Sequence, residues 1–246
     1  MSRITQIIGK LIPDSLKQEF KIKLGAPHVY WSIRNLRNNG LKGTHFVDIG
    51  AYHGEFTEAM IKLFPGAAHL MLEANPAKAE QLTAFTKRFP SENIRFEIAL
   101  LDSEPREKAR FHVMETASSA LDEIADQGGT TIEVPSFTLD QILEKYQWPE
   151  ISLMKLDVQG FELEILKGGK KSLELAEAVL LEVSLLDIHK NVPLLHEVTA
   201  FMYQYGFVAY DICSVSARRP LDRALWQTDI LFVKEQSIYR NNKRYS

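Results

Sequence analysis

The chain has 246 residues, 45% of them apolar, a net charge of −3 and a single cysteine. That composition suits one globular α/β unit and excludes a low-complexity chain, and near-neutral charge argues against a nucleic-acid-binding protein. One cysteine excludes a disulfide framework and fits a reducing, cytoplasmic setting, while apolar runs far shorter than ~20 residues exclude a membrane span of the helical kind.

Residues 1–43 carry eight Lys/Arg against Asp14 and Glu19, so this segment is basic and the remainder acidic. Ile4, Ile7, Ile8, Leu11 and Ile12 give it an apolar stripe. Two readings stay open: a helical cap with its lysines in water, or peripheral contact with an anionic membrane surface. No secretory leader is expected, because no small-residue cleavage site follows an apolar core. Spacing predicts a second helix over 26–39, stopped by Asn38-Asn39-Gly40. The expected organisation is a helical cap over 1–43, one domain over 44–235 and a tail over 236–246.

From there strands and helices alternate. Strand 45–49 leads to helix 55–64, and strand 69–73 to helix 76–88, with Pro76 in its first turn. Strand 94–101 precedes a turn at Asp102-Ser103-Glu104-Pro105. Residues 109–137 break the rhythm with two strands around a polar stretch, read as a flap or extra hairpin. Helix 138–146, strand 151–157, helix 160–168 and the nearly all-apolar strand 178–184 follow. Helix 193–204 precedes strands 207–212 and 226–233, which have no helix between them and read as a terminal hairpin. Cys213 falls in this late region and is expected to pack as a small apolar residue.

Two places carry the chemistry. The run His45–Ile49 ends in Asp48 and Gly50, and a helix begins just past Gly54. This strand, glycine turn and helix start present backbone N–H groups to a nucleotide-like ligand. The next apolar run ends in Glu73, placed to accept from two ribose hydroxyls. The spacing is not G-x-G-x-x-G. Tyr52 and His53 stand between the glycines, where a pyrophosphate would need bare backbone; a phosphate-free cofactor does not.

These residues resemble the FkbM-type S-adenosylmethionine-dependent methyltransferases. Asp48-Ile49-Gly50-Ala51-Tyr52-His53-Gly54-Glu55-Phe56-Thr57 is similar to their D-x-G-A-N-x-G-x-x-[ST] loop, and Glu73-Ala74-Asn75-Pro76 to their E-P-x-P segment. The block from Leu153 to Gly169, containing Lys155-Leu156-Asp157-Val158-Gln159-Gly160, resembles L-K-I-D-V-E-G-x-E-x-x-V-L-x-G-A. Thr138-Leu139-Asp140 and Thr228–Val233 also fit, and the likeness covers residues 41–235. Tyr52 stands where the family has Asn, and Gln159 where it has Glu. The resemblance implies a Rossmann-like class I methyltransferase fold: a mostly parallel seven-stranded sheet, an antiparallel last strand and helices on both faces. It implies S-adenosylmethionine held by Asp48, Gly50, Ala51, Gly54, Thr57, Glu73, Ala74, Ala99, Leu100 and Asp102, with Asp157 beside the methyl group.

Methyl transfer to oxygen needs a hydroxyl aligned with the sulfonium and relieved of its proton. Asp157, at a strand end, suits that task; a helix N-cap is the competing role. Glu182 lies inside an apolar run, so it must be paired or placed at an opening. Lys155, on the face opposite Leu156, must reach solvent or pair with an acid, with Asp157 and Glu182 as candidates. His189, in the polar segment after the strand, is a candidate general base. Asp157, Glu182, Asp187 and His189 together form an oxygen-rich set that suits Mg²⁺; no tight ligand motif demands a divalent metal, and metal dependence stays open. The acceptor implied by the resemblance is a hydroxyl of a glycan, with Ser118, Ser119, Asp122, Gln127, Asp187 and Asn191 as polar surroundings and Phe161, Tyr210 or Trp226 as stacking surfaces. Two alternatives remain: an NAD-dependent oxidoreductase, since Glu73 also suits an NAD ribose, and a binding module that kept the fold without the chemistry.

Overall fold

A computed structural model describes residues 25–113, 130–188, 191–215 and 217–244. The apolar stripe at 4–12, the polar set Ser118, Ser119, Asp122 and Gln127, and His189 lie outside the described residues. Helix α1 (Val29–Asn38) buries Ser32, Ile33 and Leu36. It starts later than spacing alone predicts, because His28, just after Pro27, is extended. Strand β1 (His45–Ile49) runs into α2 (Glu55–Leu63), whose N-cap Gly54 adopts φ +83°. Strand β2 (Ala68–Glu73) is buried along its whole length. A 3₁₀ turn at Pro76–Lys78 follows, capped by the Asn75 side chain accepting from Ala77 N–H at 3.0 Å, and leads into α3 (Ala79–Arg88).

The expected strand 94–101 is two strands in different sheets. Strand β3 (Asn93–Ile98) pairs with β2, and the Ala99 N–H still donates to the Glu73 carbonyl at 2.9 Å. The short β4 (Leu100–Leu101) then pairs with β6 (Thr130–Phe137), which is antiparallel to β5 (Arg106–Val113). The 109–137 excursion is thus anchored by a separate three-stranded sheet, in the order β4-β6-β5.

Helix α4 (Leu139–Glu144) opens with a capping box between Thr138 and Gln141. After β7 (Ile151–Leu156) the helix expected at 160–168 proves to be α5 (Glu162–Lys167) followed by α6 (Lys170–Leu175). The break has two causes. A side chain at Gly168 would stand 2.4 Å from the Asp102 carbonyl oxygen, so the chain must stay bare there. Asp140 then accepts from the N–H groups of Lys171 and Ser172, at 3.1 and 2.9 Å, and caps a new helix start. Strand β8 (Ala176–Ser184), α7 (Leu195–Gln204), β9 (Phe207–Ile212) and β10 (Gln227–Lys234) complete the order.

The main sheet runs β3-β2-β1-β7-β8-β10-β9, with β10 antiparallel to both neighbours. It is the mostly parallel seven-stranded sheet with an antiparallel last strand that the resemblance implies. Side chains alternate between its faces. One face carries Val47, Leu70, Met154, Leu156 and Val179; the other carries Phe46, Leu153, Ala178, Leu180 and Leu231 under α1 and α2. On the second face the apolar pattern changes toward the carboxyl edge. Asp48 follows Phe46 at the two-residue period, Lys155 and Asp157 follow Leu153, and Glu182 follows Leu180. Cys213 is buried on this face, and burial pushes its thiol up to about 12. Among the described residues, no helix is long and apolar enough to cross a membrane.

Candidate functional site

The carboxyl ends of β1, β2, β7 and β8 lie on one edge of the sheet, and the strand order reverses between β1 and β7. That switch point is where open α/β sheets form their crevice. A cavity of about 280 Å³ opens there, lined by Gly50, Tyr52, Glu73, Ala99, Asp157 and Glu182 among others.

The loop after β1 is fixed from three sides. The N–H groups of Gly50 and Ala51 donate to the Leu72 carbonyl at 2.9 and 3.2 Å. Gly50 has φ +76°, and a Cβ there would stand 2.0 Å from the Asp157 carbonyl oxygen. Only glycine permits that approach. Tyr52 also sits in the left-handed region, at φ +50°. Asn tolerates this conformation more readily than Tyr. The Tyr52 ring is held instead by its neighbours: it stacks on His53 at 3.6 Å, and the Lys78 ammonium lies 3.9 Å from the ring centroid and 3.2 Å from His53 Nε2. Gln159, the other departure from the family pattern, is likewise left-handed, at φ +58°.

Glu73 is buried at the end of β2. Its Oε2 accepts from Tyr52 N–H at 2.9 Å and its Oε1 from Asn75 N–H at 2.8 Å. Each oxygen keeps acceptor capacity beyond that bond. Two fixed carboxylate oxygens at the cavity wall suit a vicinal diol such as a ribose. Ala74, Ala99 and Leu100 line the same cavity with Leu101 and Phe161.

Four expected contacts are placed differently. Asp48 and Thr57 lie beneath the loop and off the cavity wall: Thr57 Oγ1 donates to Asp48 Oδ2 at 2.8 Å, and both are buried. Asp48 therefore orders the loop by tying β1 to α2. Asp102 is also off the wall. Its carboxylate accepts from Ser103 N–H at 2.7 Å and pairs with Arg106 at 3.1 Å, so it organises its own turn. Ala51 lies on the far side of the loop, against a second cavity.

The end of β7 gathers the ionisable groups. Lys155 Nζ lies 3.3 Å from Asp157 Oδ2 and 3.5 Å from Asp48 Oδ1. Burial alone would lower the proton affinity of this ammonium; the two carboxylates outweigh it and keep it charged. Of its two candidate partners, Lys155 pairs with Asp157, not with Glu182. Glu182 accepts from Gln159 Nε2 at 3.0 Å, and the same amide lies 3.3 Å from Asp157 Oδ1. Burial, with Asp157, Glu162 and Asp229 as negative neighbours, pushes the Glu182 carboxyl well above the carboxylate range.

Asp157 is not an N-cap. Helix α5 starts after Phe161 with no side-chain cap. Glu162 takes the loop instead: its Oε1 accepts from Val158 N–H at 3.0 Å and Gly160 N–H at 3.2 Å. Burial pushes the Glu162 carboxyl up to about 7, against the pull of those N–H groups. Among the described residues no three His, Cys, Asp or Glu are grouped to hold a metal ion. Asp187 is exposed, and the proposed Mg²⁺ set has one member, His189, outside the described residues.

Sequence reasoning missed Asp229, Tyr30 and Lys78. Asp229 had the signal that exposed Glu182, an acid inside an apolar strand, and the register sets the two directly opposite one another. Tyr30 and Lys78 gave none, since their neighbours come from distant segments. Of the suggested stacking rings, Phe161 lines the cavity, while Tyr210 packs against Tyr239 in the core.

The family model for the methyltransferase FkbM domain matches residues 48–209. Hexuronic acid methyltransferase AglP of Haloferax volcanii is 29% identical over 111 residues, and the match spans 45% of each chain. Among solved structures, magnesium protoporphyrin IX methyltransferase from Synechocystis PCC 6803 with bound SAM aligns over 83% of this chain and 77% of its own, at 10% identity and a TM-score of 0.48. Precorrin-6y C5,15-methyltransferase from Geobacter metallireducens aligns over 82% and 88%, at 15% identity and a TM-score of 0.46.

Proposed function

We propose, from the premise that this chain belongs to the FkbM methyltransferase family and is an S-adenosylmethionine-dependent methyltransferase, that it methylates a hydroxyl of a sugar in a glycolipid, lipo-oligosaccharide or polysaccharide. The premise sets aside the nicotinamide-dependent reading. The residues present fit the cofactor: Gly50 leaves room against the Asp157 carbonyl, Glu73 offers two oriented oxygens, and Ala99, Leu100 and Phe161 give an apolar wall for a flat ring. When bound, S-adenosylmethionine supplies an electrophilic methyl group and leaves as S-adenosylhomocysteine.

The observation that carries the oxygen assignment is Asp157. Its carboxylate lies on the cavity wall, paired with a charged lysine and steadied by Gln159. A hydroxyl donating to Asp157 is oriented by that bond and loses its proton to the carboxylate as the new carbon–oxygen bond forms. Lys155 holds the Asp157 carboxylate in place. Glu182, its proton affinity raised by burial, is joined to Asp157 through the Gln159 amide. The relative that acts on a hexuronic acid supports a sugar acceptor. A metal role for this cluster is not needed for the proton step.

The test is incubation of purified protein with methyl-labelled cofactor and rhamnosylated or fucosylated acceptors. Label in a base-stable ether on the sugar is expected. Label found only on a peptide or aromatic compound would contradict the reading.

A further inference from the structure

A second, larger cavity of about 670 Å³ lies on the other side of the glycine loop. Gly50, Tyr52 and Asp157 line both cavities. Its own walls come from elements distant in sequence: Tyr30 at the start of α1, Phe56 of α2, Lys155, Ser214 beyond β9 and Asp229 of β10. We propose that this cavity is the acceptor pocket and that it takes a neutral polyhydroxylated ring, excluding sugars that carry a carboxylate. The proposal rests on the methyltransferase reading above and deepens it.

Three observations support it. The first is connection. The two cavities meet at Asp157, so a group in the second cavity reaches the carboxylate that also borders the cofactor side. The volume falls within the ~300–1,000 Å³ typical of sites that enclose small ligands.

The second is charge. Asp157, Asp229 and Glu55 stand on this wall against one ammonium, Lys155, which is already shared by Asp48 and Asp157. Asp229 has the Ser214 hydroxyl as a neighbour, and that hydroxyl accepts from the Asp229 N–H at 3.0 Å. An incoming carboxylate would meet like charge, and among the described residues lining the cavity the one ammonium, Lys155, is already engaged. Hydroxyls instead donate to carboxylates in charge-assisted hydrogen bonds.

The third is the mixture of surfaces. Burial raises the Tyr30 hydroxyl's pKa above its ordinary value, so it stays a neutral donor. Tyr30, Tyr52 and Phe56 supply ring surfaces beside polar groups, which suits a sugar with one apolar face and a hydroxyl rim. The specificity arises by repulsion as much as attraction. On this account the chain differs in acceptor charge from the relative that acts on a hexuronic acid.

The experiment uses the full chain loaded with S-adenosylhomocysteine and two probes, methyl rhamnoside and methyl glucuronide. Binding is read by saturation-transfer NMR, and cofactor-product affinity by calorimetry. The rhamnoside should give signals with the wild type and the glucuronide none. Asp229→Asn and Tyr30→Phe should each weaken rhamnoside binding by about tenfold, the loss of one good hydrogen bond. Both should keep S-adenosylhomocysteine affinity within about twofold. Unchanged rhamnoside binding in both variants, no rhamnoside signal in the wild type, or glucuronide binding equal to rhamnoside would overturn the proposal. A parallel loss of S-adenosylhomocysteine affinity would assign the cavity to the cofactor and overturn it too. Failure of the wild type to bind S-adenosylhomocysteine at all would remove the methyltransferase reading and this proposal together.

Discussion

The two halves of one sheet edge treat their acids in opposite ways. At the end of β2, no cation among the described residues pairs with Glu73, and backbone N–H groups of Tyr52 and Asn75 hold its two oxygens. At the ends of β7, β8 and β10, three carboxyl groups crowd around one ammonium, and two of them, Glu182 and Asp229, are raised by burial and by the Asp157 carboxylate. The contrast matches the two tasks of the proposed reaction. Holding a diol needs a fixed acceptor of constant charge. Moving a proton needs neighbours whose proton affinities are driven apart.

The largest break in that contrast is Lys155→Met. It leaves Asp48 and Asp157 facing each other's charge beside a buried core, and losing one partner of a buried pair costs about 3–5 kcal/mol. Denaturant unfolding should report a loss on that scale. A loss below ~1 kcal/mol would mean that the row is solvated rather than held by the lysine.

Glu162 gives an effect of similar size through pH. Its pKa is about 7 in the fold against 4.5 when exposed, so the folded state binds the extra proton between those values. Stability from this group is therefore full below about pH 4.5 and falls as pH rises toward 7, by about 3 kcal/mol in all. Glu162→Gln should flatten that slope relative to wild type while keeping the Oε1 contacts to Val158 and Gly160. Parallel stability curves for the two proteins from pH 5 to 7.5 would refute the assignment.

Asp157→Asn comes next. It keeps the shape and removes the proton acceptor, so turnover should fall ~100-fold, the scale of losing a general base. Single-turnover rates with labelled cofactor provide the check, and comparable rates would leave Asp157 only a structural role.

Much of this site was legible because its signals are local. The strand, glycine turn and helix around Gly50, the acid ending β2 and the block from Leu153 to Gly169 all announce themselves within a few residues. The pairings were not, because they join strands far apart in the chain. Lys155 meets Asp48 through the β1–β7 register, and nothing near residue 155 names that partner. Asp102 and Asp157 each left a local alternative open. Both stand where Asp commonly serves locally, and the local choice went the expected way for Asp102, as a turn residue, but not for Asp157, because Glu162 reaches back to the same backbone groups. The switch of sheets at Ala99 was hidden inside one continuous apolar alternation. The family pattern's departures at Tyr52 and Gln159 both fall at left-handed backbone positions, with side chains that brace the loops.

The most direct test of the divided edge is calorimetric titration of S-adenosylhomocysteine into three proteins: wild type, Glu73→Ala and Asp157→Asn. The account predicts that Glu73→Ala loses about tenfold or more in affinity, since bonds to a charged acceptor contribute roughly 1.5–3 kcal/mol, while Asp157→Asn stays within about twofold of wild type. Unchanged affinity in Glu73→Ala, or an equal loss in both variants, would contradict the separation of a holding half from a reacting half.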